Sequence, residues 1–114
     1  MPRLCFALDL VDDPKRIAEY ERWHRPENVW PEVTAAIKAA GVTDLEIFRV
    51  ENRLFMIMEV SDEFSAEAKA DADANNPRVV AWEELMWQFQ KALPSAKPGE
   101  KWIAMKRIYS LPHE

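Results

Sequence analysis

The segment Leu45-Glu46-Ile47-Phe48-Arg49-Val50-Glu51-Asn52-Arg53-Leu54-Phe55-Met56-Ile57-Met58-Glu59-Val60 determines how the rest of the chain is arranged. Two apolar runs, 45–50 and 54–60, are rich in β-branched and aromatic residues and flank the polar tripeptide 51–53. This pattern predicts an antiparallel β-hairpin. Because the second run is almost continuously apolar, we expect it to be a central strand.

The N-terminal third predicts one strand followed by two helices. Residues 3–10 alternate between an apolar and a mixed face, which is the two-residue period of a strand. Two aspartates before Pro14 are a helix-start signal, and apolar residues then recur at helical spacing to about His24. A second helix is predicted from Pro31 to a stop at Gly41.

The C-terminal half predicts two helices and a last strand. Residues 62–74 are rich in alanine and acidic residues and predict a weak surface helix, which an Asn-Asn-Pro sequence ends. Residues 78–93 are strongly amphipathic and predict a second, half-buried helix. After a loop at 94–99, residues 102–111 predict the last strand.

The predicted order is strand, helix, strand, strand, helix, strand, which is the split β-α-β arrangement of ferredoxin-like folds in the α+β class. We expect one domain, residues 1–114, with a four-stranded antiparallel sheet and helices on one face. Five tryptophans, five phenylalanines and five methionines exceed what one helix layer needs to cover. A second copy covering the open face is therefore expected, as a homodimer with a two-fold axis.

Composition excludes several classes of function. The formal net charge is -5, so nucleic acid, anionic membranes and polyanionic substrates are disfavoured as partners. No apolar run approaches the roughly 18 residues of a membrane span, and the N-terminus lacks a secretory pattern, so a cytoplasmic location is expected. Cys5 is alone, so it predicts a buried, inert thiol.

The titratable chemistry is concentrated between residues 19 and 33. Tyr20 and His24 are four residues apart, so on a helix they project from one face and become neighbours. An imidazole can exchange a proton near neutral pH, and an adjacent phenol can orient the imidazole or a ligand. Trp23 and Trp30 are more often packing residues, but an indole face suits the C–H face of a sugar, so Trp30 is a candidate substrate contact.

Other kinds of site have little support. The acidic run at 71–75 begins like a calcium-binding loop, but Asn76 and Trp82 stand where that loop needs glycine and glutamate. His24 and His113 lie far apart and there is no cysteine pair, so no metal site is predicted. Without a phosphate-binding glycine loop or a serine-nucleophile motif, no cofactor is expected, which leaves proton transfer or binding alone.

Several motifs together resemble the L-rhamnose mutarotase family, including its L-fucose mutarotase-like members. They are Tyr20-x-x-x-His24, Trp30-Pro31-Glu32, the hairpin runs 45–48 and 54–56, Trp82 after Asn76-Pro77, and Tyr109-Ser110-Leu111-Pro112. The resemblance covers nearly the whole chain in order. It implies a dimeric α/β barrel of ferredoxin-like subunits and a cofactor-free enzyme that interconverts the α and β anomers of a 6-deoxyhexose.

The resemblance also implies roles for individual residues. The family's general acid falls on His24, its substrate-binding tyrosine on Tyr20, and the first of its two late-helix tryptophans on Trp82. The second of these tryptophans is replaced by Glu83. Because this change, together with a longer loop before Trp30, surrounds the expected pocket, L-fucose is favoured over L-rhamnose. The general base, a carboxylate or a bound water, stays open.

Two other classes of function remain as alternatives. A ferredoxin-like dimeric oxygenase or haem-handling protein shares the strand order and often depends on one histidine and tryptophans. A non-catalytic dimeric module would use the aromatic excess only for its interface.

Overall fold

The computed structural model describes residues 2–113. Within them the elements follow the order β1 (Arg3–Leu10), α1 (Pro14–Trp23), α2 (Pro31–Ala39), β2 (Val42–Val50), β3 (Arg53–Val60), α3 (Ala66–Ala74), α4 (Pro77–Trp87), β4 (Gln90–Lys91) and β5 (Ile103–Ala104). The sheet is antiparallel in the order β2-β3-β1-β4, and β5 also pairs with β1. The predicted α+β class and ferredoxin-like order are confirmed.

The predicted hairpin forms one side of the sheet, with β2 at the edge and β3 between β2 and β1. Strands β2 and β3 pair from Val50 opposite Arg53 back to Val42 opposite Val60, with an irregularity near Val42. The turn residue Glu51 has a positive φ of 53°, which is uncommon outside glycine and asparagine. The end of β1 supports this turn, since the amide of Leu10 donates to the carbonyl of Asn52 at 2.6 Å.

Helices cover one face of the sheet only. The alternation in β1 and β3 places one set of their apolar residues on the covered face, where Leu8, Leu10 and Leu54 are almost fully buried. Val33 and Met86 pack there from α2 and α4. As predicted, α2 ends before Gly41, whose φ of 95° is left-handed and whose Cα faces the hydroxyl of Ser61 too closely for a Cβ.

The late helix is shorter than predicted. We expected one helix over 78–93, but α4 ends at Trp87 and the chain enters β4, which pairs with Asp9 and Leu10 of β1. The amide of Val11 also donates to the carbonyl of Phe89 at 2.8 Å. Pairing with the open edge of β1 replaces further helical hydrogen bonds, and no glycine or proline in the sequence signals that stop.

The final strand is also shorter than predicted. We expected a strand over 102–111, but only Ile103–Ala104 forms β5, opposite Phe6 and Ala7, with one further backbone bond from Met105 to Cys5. The fourth position of the sheet is therefore shared by two short strands, so the described sheet has five strands, where four were predicted. Residues 106–113 lie beyond this pairing and are exposed.

The third helix is a surface helix, as predicted. It covers Ala66–Ala74, which is shorter than the predicted 62–74, and it contains no buried residue. The hydroxyl of Ser65 caps it by accepting a hydrogen bond from the amide of Ala68 at 3.1 Å. Among residues 2–113, no helix is long and apolar enough to cross a membrane.

Leu54→Ala should show how much the covered face contributes to stability. Leu54 lies in the central strand with 1% of its surface exposed, so its truncation is expected to lower the free energy of unfolding by about 2–5 kcal/mol. Chemical denaturation followed by circular dichroism would measure this. Val80→Ala, at an exposed helical position, serves as the control and should change stability by less than about 1 kcal/mol. Equal effects of the two substitutions would contradict the described core.

Candidate active site

Helix α1 brings a phenol and an imidazole together at the edge of the core. Tyr20 faces inward, with 3% of its surface exposed. His24 lies one helical turn after Tyr20, directly after the last residue of α1. Their rings lie 4.3 Å apart between centroids, with an interplanar angle of 37°. The predicted proximity of Tyr20 and His24 is therefore present.

The side chain of His24 is held by the end of its own helix. Its Nδ1 lies 2.8 Å from the backbone carbonyl oxygen of Tyr20. A carbonyl oxygen only accepts, so Nδ1 carries the proton and donates it. In the neutral imidazole the other nitrogen, Nε2, therefore has a free lone pair that can accept a proton.

Burial sets the protonation of both groups. Desolvation lowers the pKa of His24 below 6.5, against the opposing effect of the Tyr20 carbonyl, so the imidazole is neutral at neutral pH. Desolvation also raises the pKa of Tyr20 to about 12, a hydrogen bond from Gln90 opposes this rise, and the charge of Glu83 adds to it. The resting pair is thus a neutral phenol beside a neutral imidazole.

These shifts link folding to pH in opposite directions. The depressed pKa of His24 contributes stability above pH 6.5, and this contribution is lost as the pH falls through the lowered value. The raised pKa of Tyr20 contributes stability below pH 10, and this contribution is lost as the pH rises through about 12.

The two rings open into a cavity of about 400 Å³ between the helices and the covered face of the sheet. Its apolar lining includes Ile47, Met56 and Met86, which come from the hairpin and from α4. Its ionic lining consists of Glu83 and of the ion pair between Lys69 and Asp73. This volume falls at the lower end of the range for small-molecule sites, so it suits one small ligand.

Trp82 forms the aromatic wall of this cavity. It is buried in α4 and lines the cavity beside His24, with their ring centroids 5.8 Å apart. The edge of Trp23 packs on Trp82 at 6.1 Å. Trp102, which leads into β5, also lines the cavity. Of the predicted substrate contacts, Tyr20 and Trp82 therefore line the cavity.

Trp30, the remaining predicted substrate contact, lies one layer further out. Its ring packs against Trp82 at a centroid distance of 5.3 Å, and the guanidinium of Arg78 lies 4.1 Å from its centroid. Trp30 is not among the residues that line the cavity. Here its indole supports Trp82, and its predicted contact with the ligand stays a prediction.

The site contains two further polar residues, which the sequence analysis did not single out as ligand contacts. Glu83 lines the cavity, and Lys101 anchors it by donating to both its side-chain carboxylate and its backbone carbonyl. Gln90 is buried beneath Tyr20, and its amide nitrogen donates to the phenol oxygen at 3.3 Å. The sequence carried no signal for Gln90, since it fell inside the predicted helix 78–93.

Comparisons with known proteins identify the family. A family model described as L-rhamnose mutarotase matches residues 3–111. The chain belongs to the L-rhamnose mutarotase family. An L-fucose mutarotase from Xanthomonas campestris pv. campestris is 57% identical to this mutarotase over 111 residues, which cover 97% of this chain and 89% of the relative. An L-rhamnose mutarotase from Acidiphilium cryptum is 30% identical over 114 residues, covering 98% and 100% of the two chains.

Solved structures share the fold of this mutarotase. The crystal structure of an L-rhamnose mutarotase from Formosa agariphila has a TM-score of 0.70 at 24% identity, covering 98% of this chain and 100% of the other. Tetracenomycin F2 cyclase from Streptomyces glaucescens has a TM-score of 0.63 at 17% identity, with both chains covered completely. The mutarotase is thus an isomerase of the L-fucose or L-rhamnose type, built on a fold that other enzymes also use.

The protonation of His24 can be measured directly. In ¹H–¹⁵N NMR spectra of the imidazole, His24 should carry its proton on Nδ1 at neutral pH and titrate with a midpoint below 6.5, because burial disfavours the imidazolium. The chain has two histidines, so His113→Asn leaves one imidazole and makes the assignment unambiguous. A proton on Nε2 in the neutral form, or a midpoint above 6.5, would contradict the described geometry.

Proposed function

We propose that this mutarotase is a cytoplasmic, cofactor-free enzyme that interconverts the α and β anomers of a 6-deoxyhexose, with L-fucose preferred over L-rhamnose. The observation that carries this proposal is the neutral pair of Tyr20 and His24 beside a cavity sized for one small ligand. Anomerisation needs one proton acceptor and one proton donor. The reaction is neither a redox change nor a group transfer, so these two side chains supply the chemistry that it requires.

In the ring-opening step, Nε2 of His24 takes the proton of the anomeric hydroxyl while the phenol of Tyr20 gives a proton to the ring oxygen. The bond between C1 and the ring oxygen breaks and the C1 carbonyl forms. After rotation about the C1–C2 bond, the ring oxygen attacks the other carbonyl face. Tyr20 regains its proton and the imidazolium returns its proton to O1, so His24 acts as the general acid in the closing half of the cycle.

The burial of both groups supports these roles. A neutral imidazole with a free Nε2 is ready to accept a proton at neutral pH, which agrees with the lowered pKa of His24. The phenol oxygen of Tyr20 accepts a hydrogen bond from Gln90, so its own proton can point to a ligand. Since free sugars mutarotate spontaneously, about 10²- to 10⁴-fold from positioned acid–base groups is a sufficient enhancement.

The preference for L-fucose has two supports. The relative at 57% identity is an L-fucose mutarotase, whereas L-rhamnose mutarotases from Acidiphilium cryptum and Shigella flexneri are 30% and 28% identical. In addition, Glu83 lines the cavity, and the family resemblance implies that it replaces the family's second late-helix tryptophan. L-fucose and L-rhamnose differ in the configuration of their hydroxyls at C2 and C4. A carboxylate in place of an indole changes which hydroxyl arrangement the wall can accept.

The reaction can be tested by saturation-transfer NMR on equilibrated L-fucose, L-rhamnose and D-glucose. Catalytic amounts of protein should accelerate exchange between the α and β anomeric protons, most strongly for L-fucose. His24→Ala should remove most of this enhancement because no other side chain replaces Nε2. The enhancement should also decline as the pH falls through the pKa of His24, which burial lowers below 6.5, since protonated His24 cannot accept the anomeric proton.

The exposed His113 provides the matched control, and His113→Ala should retain full activity. Normal acceleration in a folded His24→Ala variant would exclude His24 as the proton carrier. A rate that rises as His24 becomes protonated would instead favour the imidazolium as the first proton donor. Absence of acceleration for all three sugars would overturn the proposed reaction.

We also propose that two copies pair through the uncovered face of the sheet, as the dimeric barrel implied by the family resemblance requires. On that face Phe48 lies opposite Phe55, which in turn lies opposite Ala7, and Phe48 is 50% exposed. The segment that follows β5 adds exposed apolar residues, with Ile108 at 90% and Tyr109 at 71%, beside Lys106 and Arg107. A cluster of exposed apolar side chains of this kind on a sheet is typical of an interface. A two-fold pair would bury it on both copies.

Size-exclusion chromatography with light scattering should give twice the mass of one chain. Phe48→Glu should shift the protein toward the monomer, because a carboxylate would be buried without a partner at the centre of the interface. Val80→Glu places the same charge on an exposed apolar residue of α4 and should leave the mass unchanged. A monomeric wild type would exclude this dimer.

A further inference from the structure

Gln90 combines deep burial with a position in the cavity. It begins β4, where it lies opposite Leu10 in the sheet, and only 6% of its surface is exposed. It is the one polar residue in the buried core of the described chain. Its side chain lines the same cavity as Tyr20 and His24.

The two ends of the Gln90 amide have different environments. The nitrogen donates to the phenol oxygen of Tyr20 at 3.3 Å. The oxygen Oε1 is buried, and no donor among residues 2–113 reaches it. Exchanging the two ends would leave the nitrogen without a partner instead, so the amide has one unused hydrogen-bonding atom in either orientation.

An unused buried amide atom is unfavourable for folding, and such groups are rare in native cores. An apolar side chain would fill the same place without this penalty. Because the unused atom belongs to a cavity-lining residue, a ligand hydroxyl that reaches Oε1 on binding would satisfy it. A sugar carries such hydroxyls around its ring.

We propose that Gln90 is a substrate-binding residue whose Oε1 accepts a hydrogen bond from a sugar hydroxyl while its amide nitrogen orients the phenol of Tyr20. The identity of the ligand as a sugar rests on the proposed function. The amide thereby has two effects, one on affinity through its own contact and one on catalysis through the direction of the Tyr20 proton. Gln90 is a contact to the substrate and, toward Tyr20, a positioning residue.

The buried Oε1 of Gln90 favours ligands that carry a hydroxyl at the matching position. A buried acceptor that is satisfied only by the ligand penalises an analogue that lacks the matching hydroxyl, because the acceptor then stays unpaired in the complex. The site should therefore discriminate more strongly against a deoxy analogue at one ring position than against a change at a position that faces only the methionines.

Gln90→Met tests the proposal, since methionine has a similar length and no hydrogen-bonding group. Sugar affinity, followed by quenching of tryptophan fluorescence, should fall roughly tenfold to a hundredfold. The thermal midpoint should stay equal or rise, because the unpaired amide atom is removed. Gln88→Met is the matched control. This neighbouring glutamine is exposed at the end of α4, and its substitution should change neither property.

Deoxy analogues of L-fucose locate the contact. For the analogue that lacks the contacted hydroxyl, wild type and Gln90→Met should bind with equal affinity, whereas for L-fucose they should differ. In the exchange assay, Gln90→Met should also lower kcat, since Tyr20 loses the group that orients it. A merely structural role of Gln90 would instead lower stability and reduce affinity equally for every sugar.

A second measurement does not depend on the folding of any variant. In ¹H–¹⁵N spectra of the wild type, the side-chain amide resonances of Gln90 should shift on addition of L-fucose, and those of Gln88 should not. Unchanged Gln90 resonances at saturating sugar, or unchanged affinity in Gln90→Met, would overturn the proposal. So would a wild type that binds none of the sugars.

The outcomes for the site and for the reaction can be separated. If the wild type binds L-fucose through Gln90 but does not accelerate anomer exchange, the proposed function fails and the binding role of Gln90 stands. If exchange is accelerated and Gln90→Met keeps its affinity and its kcat, the proposed function stands and the role of Gln90 is excluded.

Discussion

The structure depends on how the second edge of β1 is paired. One edge of β1 pairs with β3 along seven residues, which secures it to the hairpin of β2 and β3. On the other edge, β4 pairs with Asp9 and Leu10, and β5 pairs with Phe6 and Ala7. A buried edge must have its amides and carbonyls satisfied, so the chain returns to β1 twice. These returns carry Gln90 under Tyr20 and bring Trp102 to the cavity. The pairing of β4 and β5 with β1 therefore also completes the candidate active site.

The end of α1 connects helix geometry with acid–base chemistry. The last carbonyls of a helix lack intrahelical donors, and His24 satisfies that of Tyr20 with its own side chain. This bond selects the Nδ1–H tautomer and leaves Nε2 free. A helix C-terminus by itself favours an imidazolium, but burial outweighs this effect and lowers the pKa of His24. Because the same backbone atom belongs to Tyr20, a single helical turn orients both side chains.

Local patterns were sufficient to predict much of this molecule. The alternation of β1, the hairpin, and the stops at Gly41 and before Pro77 depend on residues near in sequence, and each is present. Tyr20 and His24 followed from helical spacing in the same way. The end of α4 and the division of the last strand depend on the edge of β1, some eighty to a hundred residues earlier in the chain. The periodicity within residues 78–93 and 102–111 could not reveal that the edge of β1 would pair with these segments.

The same distinction explains which site residues the sequence indicated. Trp82 stands on a helix whose buried stripe was visible, whereas Gln90 acquires its environment only when β4 pairs with β1. Trp30 was selected for its aromatic surface, and its contact with Trp82 places it in the layer behind the cavity wall. Residue type and spacing thus predicted neighbours within one element. They did not indicate which of these aromatic side chains line the cavity.

The electrostatics of the cavity agree with a neutral ligand. The ionic side chains around it are paired, Lys69 with Asp73 and Lys101 with Glu83, so neither pair presents an uncompensated charge. Its deepest polar groups are the phenol, imidazole and amide of Tyr20, His24 and Gln90, all of them neutral at rest. Uncharged donors and acceptors can be buried at smaller cost than ions. The proposed anomerisation moves protons between two oxygens of the sugar and ends with no net charge, which agrees with an interior lined by neutral groups.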